Sequence, residues 1–110
     1  MLPVNLTAYS SQHGTDVIQK LQKIIHDHGC FVTDFVSFGP TEMSLTFEGD
    51  STSVQGIITD FRDQEISFTD YSEYEISFLE SRSGELIIVL YLVTGRKKDL
   101  GAILDEKFRK

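Results

Sequence analysis

The sequence lacks the features that would place it in a specialised class of protein. Cys30 is its only cysteine, so an intrachain disulfide is impossible and a reducing, cytoplasmic location is expected. No apolar run approaches the ~20 residues that would span a bilayer. The first ten residues, MLPVNLTAYS, have neither the positive flank nor the long apolar stretch of a secretory signal. We therefore expect no membrane partner.

Positive charge is also scarce. The chain has 10 lysines and arginines against 17 acidic residues, a net charge of −7, and a nucleic-acid partner is not expected because phosphate binding needs a concentrated cationic face. The charge is uneven: residues 60–85 hold eight acids against Arg62 and Arg82, whereas the tail from Arg96 is basic. These regions are either two solvated faces or surfaces for self-association or partner docking.

The apolar spacing in the first half predicts strands and helices of an α+β fold. Residues 2–9 suit a first strand. Five apolar residues then recur on one side of a helix, which Thr15 or Asp16 can cap and Gly29 ends: Val17, Ile18, Leu21, Ile24 and Ile25. Residues 31–38 and 43–47 alternate like two strands of a hairpin joined at Gly39-Pro40, and a second helix follows the cap cluster of residues 50–53.

The second half reads mainly as strands. We expect them around Ile66 and Phe68, around Ile76 and Phe78, and along ELIIVLYLV, whose continuous apolar run indicates burial on both faces or at an interface. A third amphipathic helix would carry Leu100, Ile103, Leu104 and Phe108. The prediction is one α+β domain over residues 1–110: a ferredoxin-like βαββαβ core (about 3–70) with helices on one face of an antiparallel sheet, then a hairpin strand and a helix (about 73–110).

The stretch HDHGC, residues 26–30, resembles the start of a metal site. Helical residues two apart point about 200° away from each other, so His26 and His28 cannot bind one ion while the helix is intact. A zinc site needs three or four ligands, and His13 is the only other histidine. We interpret the stretch as a helix end, with Cys30 entering the core as a small hydrophobe. No oxyanion-hole or nucleophile-elbow pattern accompanies the cysteine.

No other residues indicate an enzyme or a cofactor. The acidic pairs Asp60/Asp63 and Glu73/Glu75 are of the kind that an acidic surface offers by chance. Five phenylalanines occur at strand spacing, which is more typical of a core than of a base-stacking platform: Phe31, Phe35, Phe38, Phe47 and Phe68. The expectation is a non-catalytic protein that needs no metal and no cofactor.

Three segments resemble an ACT domain, a small regulatory fold of order βαββαβ. They are SSQHGTDV before the first helix, HGCFVTDF at the helix end and second strand, and the helix after FEGDSTSV. Gly29, Cys30 and Asp34 stand where such families have a helix-ending glycine, a small or apolar residue and an acid. The nearest resemblance is to the N-terminal half of the glycine-cleavage-system transcriptional repressor family. Residues 90–104 also resemble residues 7–21, either as a truncated second unit or by coincidence.

The resemblance implies a regulatory domain that binds an amino acid or similar effector at its first loop, with a neighbouring subunit completing the site. The implied ligand residues are Ser11, Gln12, His13 and Gly14, with Asp34 accepting from an ammonium group. The sequence departs from the family pattern at Thr15 and Asp16, which replace the usual proline and close-approach glycine. A carboxylate would otherwise be attracted by the free N–H groups of the helix start.

The leading functional expectation is therefore a homodimeric, effector-binding regulatory domain. The alternative is an inhibitor, immunity or adaptor protein that docks a basic partner through its acidic strip, residues 60–85. Glu73 and Glu75 are the candidate partner-binding residues. Such docking would weaken as salt screens the charges.

Overall fold

Strands and helices alternate along the chain, of which the computed structural model describes residues 3–95. The strands are β1 (Val4–Ser10), β2 (Phe31–Ser37), β3 (Glu42–Asp50), β4 (Ser67–Phe68) and β5 (Glu85–Thr94). The helices are α1 (Gly14–Asp27), α2 (Ser51–Asp63) and α3 (Asp70–Ser77), and a single 3₁₀ turn (Leu79–Ser81) precedes β5. The helix predicted around Leu100–Phe108 lies outside the described residues.

The five strands form one mixed sheet in the order β2-β3-β5-β1-β4. β5 lies between β3 and β1. It runs antiparallel to β3 and pairs in parallel with β1 over the full length of β1. The predicted α+β class is confirmed. The ferredoxin-like order, in which the first and third strands are neighbours, is not confirmed because β5 separates them, and the parallel pair makes the sheet mixed rather than antiparallel.

The core lies between one face of the sheet and the helices. Alternate residues of β5 are buried on that face, namely Leu86, Ile88, Leu90 and Leu92. Phe47 of β3 and Phe61 of α2 meet edge to face, with 6.2 Å between ring centroids. On the opposite face Ile87, Val89 and Tyr91 are only half-buried. The apolar run ELIIVLYLV is thus the central strand, and the described residues cover only one of its faces fully.

The first helix ends as predicted but begins differently. Gly29 adopts the left-handed conformation, with φ at 77°, directly after the last turn of α1. The N-cap is His13 rather than Thr15 or Asp16, and its side chain makes no capping bond. The predicted cap cluster before α2 is confirmed, because the Asp50 side chain accepts from the backbone N–H of Ser53 at 2.7 Å.

The predicted strand around Ile76 and Phe78 is wrong, because these residues belong to α3 and its C-cap. The hydroxyl of Thr69 caps this helix by accepting from the backbone N–H of Ser72, and Asp70 and Glu73 lie in the first turn, where the helix dipole favours acids. Over so short a segment, alternation of two apolar residues does not distinguish a strand from a helix.

Candidate functional site

His28 joins the ends of two helices. Its Nε2 lies 2.7 Å from Oδ2 of Asp60 on α2, and both side chains are partly exposed. The ring also lies directly over Gly56, where a Cβ atom would come within 2.8 Å of the imidazole Cε1. The imidazole therefore packs where α2 has no side chain. His28 holds α1 against α2, a contact that the sequence pattern did not indicate.

Cys30 is buried, as predicted. Its thiol faces Gly49 of β3, and a Cβ atom at that glycine would lie only 2.6 Å from Sγ. Burial raises the pKa of the thiol, and the carboxylates of Asp50 and Glu85 raise it further. A raised pKa keeps the sulfur protonated near neutral pH, which is the opposite of what a nucleophilic cysteine requires.

An open cleft of about 380 Å³ lies beside this cysteine. It runs between the end of α1, the start of β2 and the start of α2, and its lining includes Phe31, Glu48, Asp50 and Glu85. Within residues 3–95, no three histidine, cysteine, aspartate or glutamate side chains converge well enough to hold a metal ion. The cleft therefore offers acidic and aromatic surface but no metal centre among these residues.

The predicted ligand loop is held firmly in place at the opposite end of the sheet. The side-chain nitrogen Nε2 of Gln12 donates to the backbone carbonyl of Gln64 at 2.6 Å, and its side-chain oxygen Oε1 accepts from Nζ of Lys20 at 2.8 Å. Gly14 is buried, and a Cβ atom there would meet Met43, Thr94 and the carbonyl of Pro40 at 3.2–3.3 Å. Ser11 and His13 are exposed. Gln12 thus already has internal partners, whereas Ser11 and His13 face solvent before the start of α1.

Asp34 lies in the middle of β2, opposite Thr46 of β3. The loop of residues 11–14, by contrast, contacts the hairpin turn at Pro40 and the end of β5 at Thr94. This register therefore separates the proposed ammonium acceptor from the proposed carboxylate site within one copy of the chain. These site residues stay a prediction.

One exposed apolar surface runs along β2, the edge strand. The exposed fractions are 67% for Phe31, 42% for Phe35, 40% for Val36 and 56% for Phe38, which follows the strand. Val32 and Phe35 lie opposite Phe47 and Leu45 on the helix side of the sheet, whereas Phe31 and Val36 lie opposite Glu48 and Ser44 on the other side. The strand is thus apolar on both faces, as interior strands are.

A second exposed surface combines aromatic and acidic side chains on α3. Tyr71, Tyr74 and Phe78 are 68%, 62% and 46% exposed, and the rings of Tyr74 and Phe78 meet edge to face at 4.9 Å. The predicted partner residues lie on the same helix. Glu73 accepts from Arg62 at 2.6 Å, and Glu75 lies 3.8 Å from Arg82. Both carboxylates are therefore engaged within the chain.

Sequence reasoning missed this aromatic surface. Its signal was present, because Tyr71, Tyr74 and Phe78 recur at intervals of three and four, which places them on one side of a helix. The assignment of Ile76 and Phe78 to a strand concealed that spacing.

None of the helices in residues 3–95 is long and apolar enough to cross a membrane. Comparison with family models, with curated proteins and with solved structures finds no match in any of the three. The resemblance to ACT domains therefore stays a prediction.

Proposed function

We propose that the protein is a non-catalytic regulatory domain that self-associates through β2. The observation that carries this proposal is the edge of the sheet at β2, where a seven-residue strand exposes phenylalanine and valine on both faces. Edge strands of proteins that stay monomeric are usually protected by charge, by proline, by β-bulges or by shortness. The pairing of β2 with β3 shifts register once, between Val32 and Asp34, and continues without a shift from Asp34 to Ser37. Asp34 is the only charged residue within β2. An apolar edge of this length favours pairing with another strand.

The opposite edge of the sheet illustrates how this chain protects a strand. β4 pairs with only two residues of β1, Ala8 and Tyr9. Beyond that pair, the backbone N–H of Thr7 donates to the hydroxyl of Ser72 at 2.7 Å, so α3 takes the place of a neighbouring strand. No side chain among the described residues binds the outer backbone groups of β2 in this way. The contrast supports β2 as the association surface.

The proposed partner strand is β2 of a second copy. Two identical strands related by a twofold axis pair antiparallel, and each contributes the same surface to the interface. The pair would join two five-stranded sheets into one sheet of ten and would cover aromatic side chains on both faces. Cross-strand aromatic and β-branched pairs contribute roughly 0.2–1 kcal/mol each.

The regulatory input in this proposal is a small effector such as an amino acid. What supports it is the start of α1, where the N-cap His13 makes no side-chain bond to the helix, whereas Asp50 and Thr69 cap α2 and α3. The first N–H groups of α1 thus lack the side-chain acceptor that the other helices have.

Sedimentation equilibrium over a wide concentration range tests the association. The wild type is expected to have the mass of two chains, and Val36→Lys to have the mass of one, because a buried lysine on a paired edge strand is unfavourable. The control is Phe78→Lys, which removes a similarly exposed apolar side chain from α3 and should leave the dimer intact. Circular dichroism confirms that each variant is folded. A wild type that remains a monomer at every concentration contradicts the proposal.

Thermal unfolding in the presence of each of the twenty amino acids tests the effector. A ligand at a hundred times its dissociation constant stabilises the folded state by ~2.7 kcal/mol, which raises the midpoint of a domain this size by about 10 °C. A shift from one or two amino acids supports the effector. No shift with any of them removes the effector from the proposal and leaves self-association to be judged by mass alone.

A further inference from the structure

The charges of this chain are divided between two regions. Six of the ten lysines and arginines lie in residues 96–110, together with three acidic residues, so residues 1–95 hold four cations against fourteen acids. Of those four, Lys23, Arg62 and Arg82 are each within 4 Å of a carboxylate, and Lys20 donates to Gln12. The described residues therefore have little cationic side chain left to offset their acids.

Aromatic side chains form a ridge in the middle of this acidic surface. The ridge consists of Tyr71, Tyr74 and Phe78 on the outer side of α3. The exposed acids Asp70 and Glu80 flank it in the sequence, and a hydrogen bond from the hydroxyl of Tyr71 to Glu75 raises the pKa of that tyrosine. Exposed tyrosine faces beside carboxylates attract arginine and lysine by both cation–π and charge interactions. The chemistry that fits this ridge is a basic segment that also carries apolar residues.

We propose that residues 96–110 of the same chain bind the aromatic ridge of α3. This segment has the required composition: Arg96, Lys97 and Lys98 begin it, Lys107, Arg109 and Lys110 end it, and Leu100, Ile103, Leu104 and Phe108 lie between or beside them. Its net charge of +3 complements the surface that it would cover. The ridge, separate from the β2 edge, is independent of self-association.

The segment starts close enough to reach the ridge. The N–H of Gly95 donates to the carbonyl of Ser10 at the end of β1, at 3.1 Å. The first turn of α3 contacts the same strand three residues earlier, where Ser72 accepts from Thr7. Three residues of strand span about 10 Å. Fifteen residues cover roughly 22 Å as a helix and about 50 Å when extended, so the whole length of α3 is within reach.

Paramagnetic relaxation in the full-length chain tests this contact. A nitroxide is attached at Ala102→Cys in a Cys30→Ala background, which removes the only native thiol, and the backbone amide signals of the labelled protein are compared with those of its reduced form. The expected result is loss of most of the signal intensity at residues 71–78, with the amides of β2 little affected. Intensity loss that is absent, or that falls mainly on another surface, overturns the proposal.

Two controls separate this binding from alternatives. Tyr71→Ser combined with Tyr74→Ser should restore the signals of α3, whereas Phe31→Ser, which removes an equally exposed ring from β2, should not. Raising the salt to ~1 M, where the Debye length is ~3 Å, should restore part of the intensity. A second sample mixes chains that carry the nitroxide but no ¹⁵N with chains that carry ¹⁵N but no nitroxide. The amide signals of α3 should lose no intensity in this mixture. If the loss appears in that mixture, the segment binds a second copy and the intramolecular proposal is wrong.

Discussion

Cys30 and Gly49 are packed so closely that a side chain at the glycine would collide with the thiol. A Cβ atom at position 49 would lie 2.6 Å from Sγ of Cys30. Cys30 lies between α1 and β2, Gly49 lies near the end of β3, and both residues are buried. The contact explains why HDHGC ends in a small, weakly polar residue without any need for metal or nucleophilic chemistry.

Gly49→Ala should destabilise the protein by about 1–3 kcal/mol, because an extra methyl group in a packed core displaces its neighbours. Cys30→Ala removes the sulfur that the methyl would meet. The double variant should therefore be more stable than Gly49→Ala alone, which a urea titration of all four proteins measures. A Gly49→Ala protein as stable as the wild type would show that the contact is not as tight as described.

Gly56→Ala should uncouple His28 from Asp60. The added methyl would come within 2.8 Å of the imidazole, so the ring must leave the position from which it reaches the carboxylate. In the wild type, Asp60→Asn should lower the free energy of unfolding by about 0.5 kcal/mol, as is usual for partly exposed pairs. In the Gly56→Ala background the same substitution should leave the free energy of unfolding unchanged. Equal costs in both backgrounds would mean that His28 and Asp60 do not interact.

Asp50 should make the stability depend on pH in the acidic range. Hydrogen bonds from Ser53 and Thr52 hold the pKa of this carboxyl below its usual value. A carboxyl whose pKa is lower in the folded state contributes stability above its unfolded pKa and loses that contribution as the pH falls through the folded value.

Asp50→Ala should therefore be less stable than the wild type near neutral pH, and the difference should shrink as the pH falls below the ordinary carboxyl pKa of 3.8 and the capping carboxylate is protonated. Urea unfolding of the two proteins at several pH values measures the stability difference near neutral pH and its decrease at low pH. Thr52→Ala, which keeps the Asp50 carboxylate, is the control. A difference that is independent of pH would contradict the role of the ionised cap.

Two substitutions in the first loop separate ligand binding from packing. His13→Ala removes an exposed side chain that makes no capping bond, so the midpoint of thermal unfolding should not change in the absence of ligand. The same substitution should abolish any rise in that midpoint caused by an amino acid. Gln12→Ala also breaks the bond to the carbonyl of Gln64 and should cost about 1 kcal/mol by itself. An amino-acid response that survives both changes would exclude the loop as the effector site.

Local features of the fold were predictable from the sequence because they depend on neighbouring residues. The end of α1 at Gly29, the hairpin of β2 and β3, and the Asp50 cap all follow from short patterns of apolar, capping and turn residues. The position of β5 did not follow. Its apolar run predicts a covered strand but does not specify its neighbours, and pairing with β1 joins residues about eighty positions apart.

The candidate site was harder to predict for the same reason. The loop of residues 11–14 is contiguous and was recognisable, but its attachment to Gln64 and Thr94 comes only with the tertiary fold. Likewise, the phenylalanines of β2 were expected to lie in the core. Their exposure results from the place of β2 at the edge of the sheet, which alternation within one strand cannot reveal.

Hydrogen exchange of the β2 amides tests the central proposal most directly. In a single chain, the N–H groups of β2 that point away from β3 face solvent and should exchange quickly, whereas in the β2-paired dimer they bond to the second copy. We expect these amides to become protected as the protein concentration rises, and Val36→Lys to abolish this change. Rapid exchange that does not depend on concentration, in a protein whose β3 and β5 amides are well protected, would contradict self-association through β2.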